Sequence, residues 1–245
     1  MPRHLRNTLF TVLWGVSCAV AASGLQVSPV SLTLPPTQAA DGLWLSNTGD
    51  NVVNAQVRVF RWTQEGGEDK LTPSRGLLVS PPMLQLPAEG RQLIRAIRAG
   101  APPSGPGAVQ EAYRVIIDEL PVDTQGKKGL QFVLRYSVPI FVQPAGAPPS
   151  APQLTWGLRR DGEKAVLEVA NSGASHAQLA DISFTDSAGV RTAVHPGLLG
   201  YVLPGAQMRW ALKVPAAAFG AGGTWETMTN GTTAQQVIPT VDSPR

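Results

Sequence analysis

The chain has 245 residues, of which 43% are hydrophobic and 15% charged, and it contains 25 Gly and 22 Pro. So many turn-forming residues exclude a helical bundle, and the apolar fraction excludes a chain kept disordered by its charge. The formal net charge of +3 falls to +1 without residues 1–22. A near-neutral protein gives no electrostatic reason to expect nucleic acid or an anionic membrane as a partner.

The first predicted element is a secretory signal peptide at residues 1–22. Arg3 and Arg6 precede an apolar run at positions 9–20, and small residues follow it. The run is shorter than the roughly 20 residues of a membrane-spanning helix, which argues against stable membrane insertion. Lipidation at Cys18 is a second alternative, although Gly15 stands where such signals usually carry Leu. Cleavage removes Cys18, the only cysteine, so we expect no disulfide.

Short apolar runs separated by turn signals follow along the chain. Their spacing, without a convincing amphipathic helix between them, predicts an antiparallel β-sandwich. Alternation is imperfect at 58–62 and 113–117, as expected where both faces of a sheet or a domain junction bury side chains. The strands are predicted at residues 25–34, 42–47, 54–63, 77–79, 91–98, 111–120 and 130–142.

A Pro- and Gly-rich stretch at residues 144–152 is typical of an extended connector. The same style of short strands resumes after it, at residues 164–170, 178–185 and 207–214. We therefore predict an all-β protein of two immunoglobulin-like β-sandwich domains. The expected boundaries are a signal peptide at 1–22, an N-terminal domain at 23–144 and a C-terminal domain at 145–245.

Residues suited to catalysis or metal binding are scarce. His176 and His195 lie beside turn residues and are expected to be exposed, and two isolated histidines without cysteine do not make a zinc site. Nucleophile motifs are absent, and the glycines at 220–223 lack the Lys and Ser or Thr of a phosphate loop. We expect no enzymatic activity, no metal, no cofactor, no small-molecule substrate and no nucleic acid partner.

The predicted strand at 130–142 is unusually long and carries an apolar stripe, because alternate side chains of a strand share a face. A strand in the core of a sandwich is the commoner explanation of such a stripe. Pro139 favours a position near a sheet edge, since proline cannot donate to a ladder. An exposed apolar edge invites a partner strand, so β-augmentation is a second interpretation. The stripe comprises Leu130, Phe132, Leu134, Tyr136, Val138 and Ile140.

Six motifs follow one another along the chain, at residues 25–34, 45–49, 79–82, 86–90, 113–121 and 130–144. In this order and spacing they resemble the periplasmic chaperones of the chaperone–usher pilus pathway, the PapD-like proteins with two immunoglobulin-like domains. The resemblance spans nearly the whole mature chain. Residues 134–139 and 199–205 are also similar to a divergent branch linked to spore-coat-like and biofilm pili.

The resemblance implies a periplasmic chaperone that stabilises pilin subunits by donor-strand complementation and delivers them to an outer-membrane usher. In this family the last strand of the first domain lends alternating apolar side chains to an incomplete pilin fold. Leu130, Phe132 and Leu134 match those donor positions.

The chain departs from the family where two basic residues would hold the carboxylate at the pilin C-terminus. Ser31 and Pro139 stand at those positions, and neither carries a charge. An internal ion-pair network of the family is also incomplete, since Glu119 matches its acidic member but Gln143 replaces an Arg. Because an Arg fork suits a carboxylate, three arginines are candidate anchors. They are Arg95, Arg114 and Arg135.

An alternative function from another class is a secreted or surface-exposed ligand-binding module of the adhesin type. Tryptophans would then form an exposed sugar-binding platform, although packing in the core is their usual fate in a small sandwich. The candidates for this platform are Trp62, Trp156, Trp210 and Trp225.

Overall fold

The computed structural model describes residues 24–121, 133–146, 150–220 and 222–242. The predicted signal peptide and the predicted donor residues Leu130 and Phe132 lie outside these ranges. Strands dominate, and the helix within the described ranges is a single 3-10 turn at Ala216–Phe219. The prediction of an all-β protein with two immunoglobulin-like sandwiches is confirmed.

The first sandwich is built from ten strands in two facing sheets. One sheet has the order β1-β3-β8-β6, and the other has the order β2-β10-β9-β4-β5, with β7 also paired to β4. All pairings are antiparallel except that of β2 with β10. The strands are β1 (Leu25–Ser28), β2 (Leu32–Leu34), β3 (Ala40–Asn47), β4 (Val53–Glu65), β5 (Glu68–Pro73), β6 (Leu77–Ser80), β7 (Met83–Leu86), β8 (Arg91–Arg98), β9 (Glu111–Leu120) and β10 (Arg135–Val142).

The second sandwich has two four-stranded sheets, with the orders β15-β12-β11-β18 and β14-β13-β16-β17. Trp156 and Trp225 lie in its core with Phe184 and Phe219. The strands are β11 (Leu154–Asp161), β12 (Lys164–Asn171), β13 (Ala177–Asp186), β14 (Arg191–Val202), β15 (Gln207–Pro215), β16 (Gly223–Thr229), β17 (Thr232–Gln236) and β18 (Thr240–Asp242).

Alternation along β9 explains how the first sandwich meets the second. Tyr113, Val115 and Ile117 point into the first core, so Ala112 and Arg114 point out of it. Ala112 is nevertheless buried, because it packs with side chains of β4, β10 and the second sandwich in a small junction cluster. The expected burial of both faces at a domain junction is therefore confirmed.

A buried asparagine ties together the loops of each sandwich in the same way. The amide of Asn47 donates to the carbonyls of Asn51 and Pro87, and its Oδ1 accepts from the Gly49 amide. Asn171 repeats the pattern, with its Oδ1 bonded to the Gly173 amide. Both side chains are about 1% exposed. The shared Asn-x-Gly pattern satisfies buried backbone groups that no strand pairs.

Candidate functional site

The apolar stripe of β10 belongs to the first core over its described length. Val138, Ile140 and Val142 are buried there, and Leu134 and Tyr136 are partly buried and pack against them. The core interpretation of the stripe is thus correct for these residues. The partner-binding interpretation of Leu130 and Phe132 stays a prediction.

The edge of β10 is half covered. β2 pairs only with Ile140–Val142, while β9 pairs along the whole of β10. The Leu134 carbonyl accepts from the Glu119 amide of β9, so the backbone groups of Arg135, Ser137 and Pro139 face the opposite side. Within the described ranges no strand pairs with β10 there. The missing N–H of Pro139 costs no ladder bond, which confirms the predicted edge position for this half of the strand.

The open part of the edge ends at a corner formed by the start of β2. Leu32 is the register partner of Ile140, which places Ser31 level with Pro139. The two positions at which the family pattern expects basic residues are therefore neighbours in space. Neither supplies a charge.

A cation does lie next to this corner, on the neighbouring strand. Arg114 of β9 is the register partner of Pro139. Its guanidinium carbon lies 3.6 Å from the ring centroid of Trp62 and 5.2 Å from that of Tyr201, which comes from the second sandwich. Nη1 donates to the Ser137 carbonyl at 3.4 Å. The arginine is thus held between two aromatic rings at the junction of the sandwiches.

Nearby negative groups do not fully compensate the positive charge of Arg114. Burial lowers its pKa from the ordinary arginine value, and the nearby Tyr201 and Asp69 offset only part of that effect. Asp69 is occupied by hydrogen bonds from Trp62 Nε1 and Gln64 Nε2. Within the described part of the chain no carboxylate forms an ion pair with Arg114. A half-buried guanidinium of this kind gains from an incoming anion.

The other two candidate anchors lie elsewhere. Arg135 begins β10, four residues from the Pro139 corner, and its Nε bonds to Asp118. Arg95 is exposed on β8, in the opposite sheet of the sandwich. Of the three arginines, Arg114 alone adjoins the corner.

Glu119 and Gln143, which the resemblance assigns to one ion-pair network, lie at opposite ends of the β9–β10 pair. Glu119 accepts from the Leu134 amide at one end of the β9–β10 pair, whereas Gln143 donates to the Leu34 carbonyl beyond the other end. Antiparallel pairing brings Glu111, not Glu119, beside that end, since Glu111 is the partner of Val142. Glu111 is bound by Arg61 at 2.8 Å.

A histidine joins the second sandwich to β10. The His176 ring stacks on Phe141 with a centroid separation of 3.5 Å and an angle of 3°. Gln110 Oε1 accepts from the His176 backbone amide at 3.1 Å and contacts Nδ1 at 2.7 Å. Burial lowers the pKa of His176 from 6.5 to about 4. The expectation that His176 is exposed is wrong, because the junction covers it.

The proposed tryptophan platform is also wrong. Trp62, Trp156 and Trp225 are 1%, 7% and 2% exposed, and Trp210 packs against the second core. Trp62 lies at the junction, while the others belong to the second sandwich. Buried rings in separate cores offer no surface for a sugar.

The described ranges contain neither a metal-binding cluster nor a membrane-spanning helix. No group of three or more His, Cys, Asp or Glu side chains there could hold a metal ion. No helix in those ranges is long and apolar enough to cross a membrane.

Comparison with known structures shows the same fold in pilus chaperone systems. A chain of the CsuC–CsuE chaperone–tip adhesion subunit pre-assembly complex from archaic Csu pili of Acinetobacter baumannii matches with a TM-score of 0.66 and 22% identity, covering 89% of this chain and 99% of that one. The Salmonella enterica complex of SafA pilin with the SafB chaperone matches with a TM-score of 0.63 and 18% identity, covering 90% and 99%. The E. coli chaperone DraB matches with a TM-score of 0.58 and 18% identity, covering 87% and 94%.

No curated protein matches the sequence. The family model for pili and flagellar-assembly chaperones, PapD N-terminal domain, matches residues 24–148, which is half of the chain and includes the corner and Arg114. The chain belongs to this family of PapD-like pilus assembly chaperones.

Proposed function

We propose that this protein is a periplasmic chaperone that holds pilin subunits by donor-strand complementation and passes them to an outer-membrane usher. The observation that carries the proposal is the open edge of β10, which ends at a corner beside Arg114. The predicted signal peptide supports export to the periplasm. Stabilisation by strand pairing requires neither a cofactor nor a nucleotide, because the partner's own apolar core supplies the free energy.

The corner limits how far a bound strand can extend, and the charge of Arg114 favours one of its two directions. β2 occupies the edge from Ile140 onward, so a strand paired with Arg135–Pro139 cannot continue past Pro139. A strand that ends there fits without a clash, and its last residue is then level with Arg114. An antiparallel strand would bring a backbone N–H or an amino group next to the guanidinium, so the charge of Arg114 favours a strand that runs parallel to β10 and ends in a carboxylate. This arrangement supports Arg114, rather than Arg95 or Arg135, as the carboxylate anchor.

The donor residues precede the open edge. Leu134 is only partly buried at the rim of the first core. Leu130 and Phe132 continue its side of the strand in the sequence, with the spacing of two that side chains on one face require. In this proposal the three side chains fill the groove of the subunit at roughly 25 cal/mol per Å² of apolar area buried. Backbone bonds along Arg135 and Ser137 fix the register.

Co-expression with candidate pilins tests the proposal. The protein is purified by an affinity tag from the periplasm, and the mass of any companion is measured. We expect a one-to-one complex that is lost with Phe132→Asp or Leu134→Asp. Unfolding curves of the free variants check that the chaperone itself still folds, which matters most for Leu134.

The anchor is tested by a matched pair of arginine variants. Arg114→Gln removes a charge-assisted hydrogen bond worth about 1.5–3 kcal/mol, so the affinity for a subunit falls roughly 10- to 100-fold. Arg95→Gln removes the same charge from an exposed site on the other sheet and leaves the affinity unchanged. Equal losses in both variants, or none in Arg114→Gln, would contradict the assignment.

A further inference from the structure

A second group of charges lies beside the open edge, at the end away from Arg114. Asp118 of β9 binds Arg58 of β4 at 2.6 Å through Oδ2 and Arg135 of β10 through Oδ1. Burial raises the pKa of Asp118, but the two arginines outweigh it and the net shift is downward. The cluster borders an open cavity of about 450 Å³ between β4, β9 and the start of β10.

Two arginines face one carboxylate in this cluster, and all three side chains lie on the outward face of the sheet. Glu119, the next carboxylate, bonds to the Leu134 amide. Its side chain borders the same cavity, and it helps to raise the pKa of Tyr136, after the larger effect of burial. The side chain of Arg135 is 69% exposed, and that of Asp118 only 13%.

Arg135 is free to turn towards a ligand without leaving a buried charge unpaired. If Arg135 moves, Asp118 keeps its bond to Arg58. Arg135 uses Nε for Asp118, and within the described ranges no carboxylate binds its two terminal nitrogens. The two terminal nitrogens of the guanidinium therefore remain available as a bidentate hydrogen-bond donor.

The register relates Arg135 to the corner. Arg135, Ser137 and Pro139 share the outward face, because the residues between them point into the core. Pro139 and Arg135 are four residues apart, or about 13 Å along the strand. A parallel strand whose last residue is level with Pro139 places its fourth residue before the last level with Arg135, on the same outward face.

We propose that Arg135 selects subunits that carry an acidic side chain four residues before their C-terminus. The inference rests on the proposed function, since it takes the strand direction and the end point from the corner. Arg114 then binds the terminal carboxylate, and Arg135 binds the acidic side chain four residues before it. Asp118 binds Nε of Arg135 and so positions its terminal nitrogens at the edge, and Arg58 keeps Asp118 paired if Arg135 turns.

Synthetic strands separate this inference from the proposed function. Acetylated eight-residue peptides alternate valine and threonine, with glutamate, glutamine or lysine as the fourth residue before the last. Each is made with a free carboxylate and with a C-terminal amide. Binding to the purified protein is measured by NMR titration at low and high salt.

We expect the glutamate peptide to bind about two- to fivefold more tightly than the glutamine peptide, with lysine weakest, as for an exposed ion pair. The preference shrinks at high salt. Arg135→Gln removes the preference while keeping the dependence on a free carboxylate. Arg95→Gln, the matched control, keeps both.

Carboxylate-dependent binding without a preference for glutamate would overturn the inference and leave the proposed function intact. A glutamate preference that persists in Arg135→Gln would also overturn it. If amidation changes nothing, or if no peptide binds, the Arg114 anchor and the inference both fail, and loss of the one-to-one complex in co-expression remains the separate test of the proposed function.

Discussion

The junction between the sandwiches makes stability depend on pH through His176. Its imidazole is covered by Phe141 on one side and bonded to Gln110 at the edge. Because Oε1 of Gln110 only accepts, Nδ1 carries the proton of the neutral ring. Charging the ring adds a second proton at a site where burial disfavours the cation, and Arg114 lies nearby, beyond Tyr201.

The sign and size of the effect follow from the pKa. Folding lowers the pKa of His176 from 6.5 to about 4. The folded state is therefore favoured fully above pH 6.5, and this contribution is lost as the pH falls from 6.5 towards 4. The shift corresponds to about 3 kcal/mol, at 1.36 kcal/mol for each unit of pKa. Below pH 4 this residue adds no further loss.

His176→Phe isolates this contribution. Phenylalanine keeps a flat ring against Phe141 and leaves the backbone bond to Gln110 in place, but it does not titrate. Urea unfolding is followed by tryptophan fluorescence between pH 7.5 and 4. The wild type should lose about 3 kcal/mol more than the variant over this range. Other titrating groups are common to both proteins and cancel in the comparison.

A control variant distinguishes this effect from general weakening. Leu212→Ala lies in the second core and lowers the unfolding free energy at every pH alike. Its loss between pH 7.5 and 4 should equal that of the wild type. If His176→Phe shows the same loss as the wild type, the reasoning from burial of the imidazole is wrong.

Two predictions concern the folding of each sandwich. Asn47→Ala and Asn171→Ala each leave buried backbone groups without a partner and should cost about 2–3 kcal/mol, seen as lost hydrogen-exchange protection in the loops around the altered residue but not in the other sandwich. Trp225→Ala removes a 2% exposed ring packed against Phe184 and Phe219. Thermal unfolding followed by circular dichroism should show that the second sandwich loses about 3–5 kcal/mol of unfolding free energy, while the transition of the first sandwich persists. Unchanged stability in either case would contradict the packing described.

Alternation of apolar residues was sufficient to predict some strands to the residue. The predictions at 91–98 and 111–120 coincide with β8 and β9. Both strands lie inside a sheet, where each core-facing position must be apolar and each end is marked by a change of pattern. Where both conditions hold, the pattern of apolar residues is enough to predict where a strand begins and ends.

The same pattern failed where the chain leaves one sheet for another. Residues 25–34 read as one strand, but β1 pairs with β3 and β2 pairs with β10 in the facing sheet. Strand β14 was missed because Pro196, Gly197 and Gly200 are turn formers. Its register against β13 shifts repeatedly, which accommodates them in a strand.

Arg114, the cation beside the corner, was one of three candidate arginines. Alignment with the family pattern could not single it out, because its position depends on contacts across strands and domains. Ser31 and Pro139 occupy the expected positions, while Arg114 lies one strand further in. Its guanidinium is held by the rings of Trp62 and Tyr201, which come from different sandwiches. Because Tyr201 belongs to the second sandwich, the position of the Arg114 guanidinium depends on how the two sandwiches meet. His176 and Gln64, which hold that junction, should therefore influence subunit binding through Arg114 without touching the subunit.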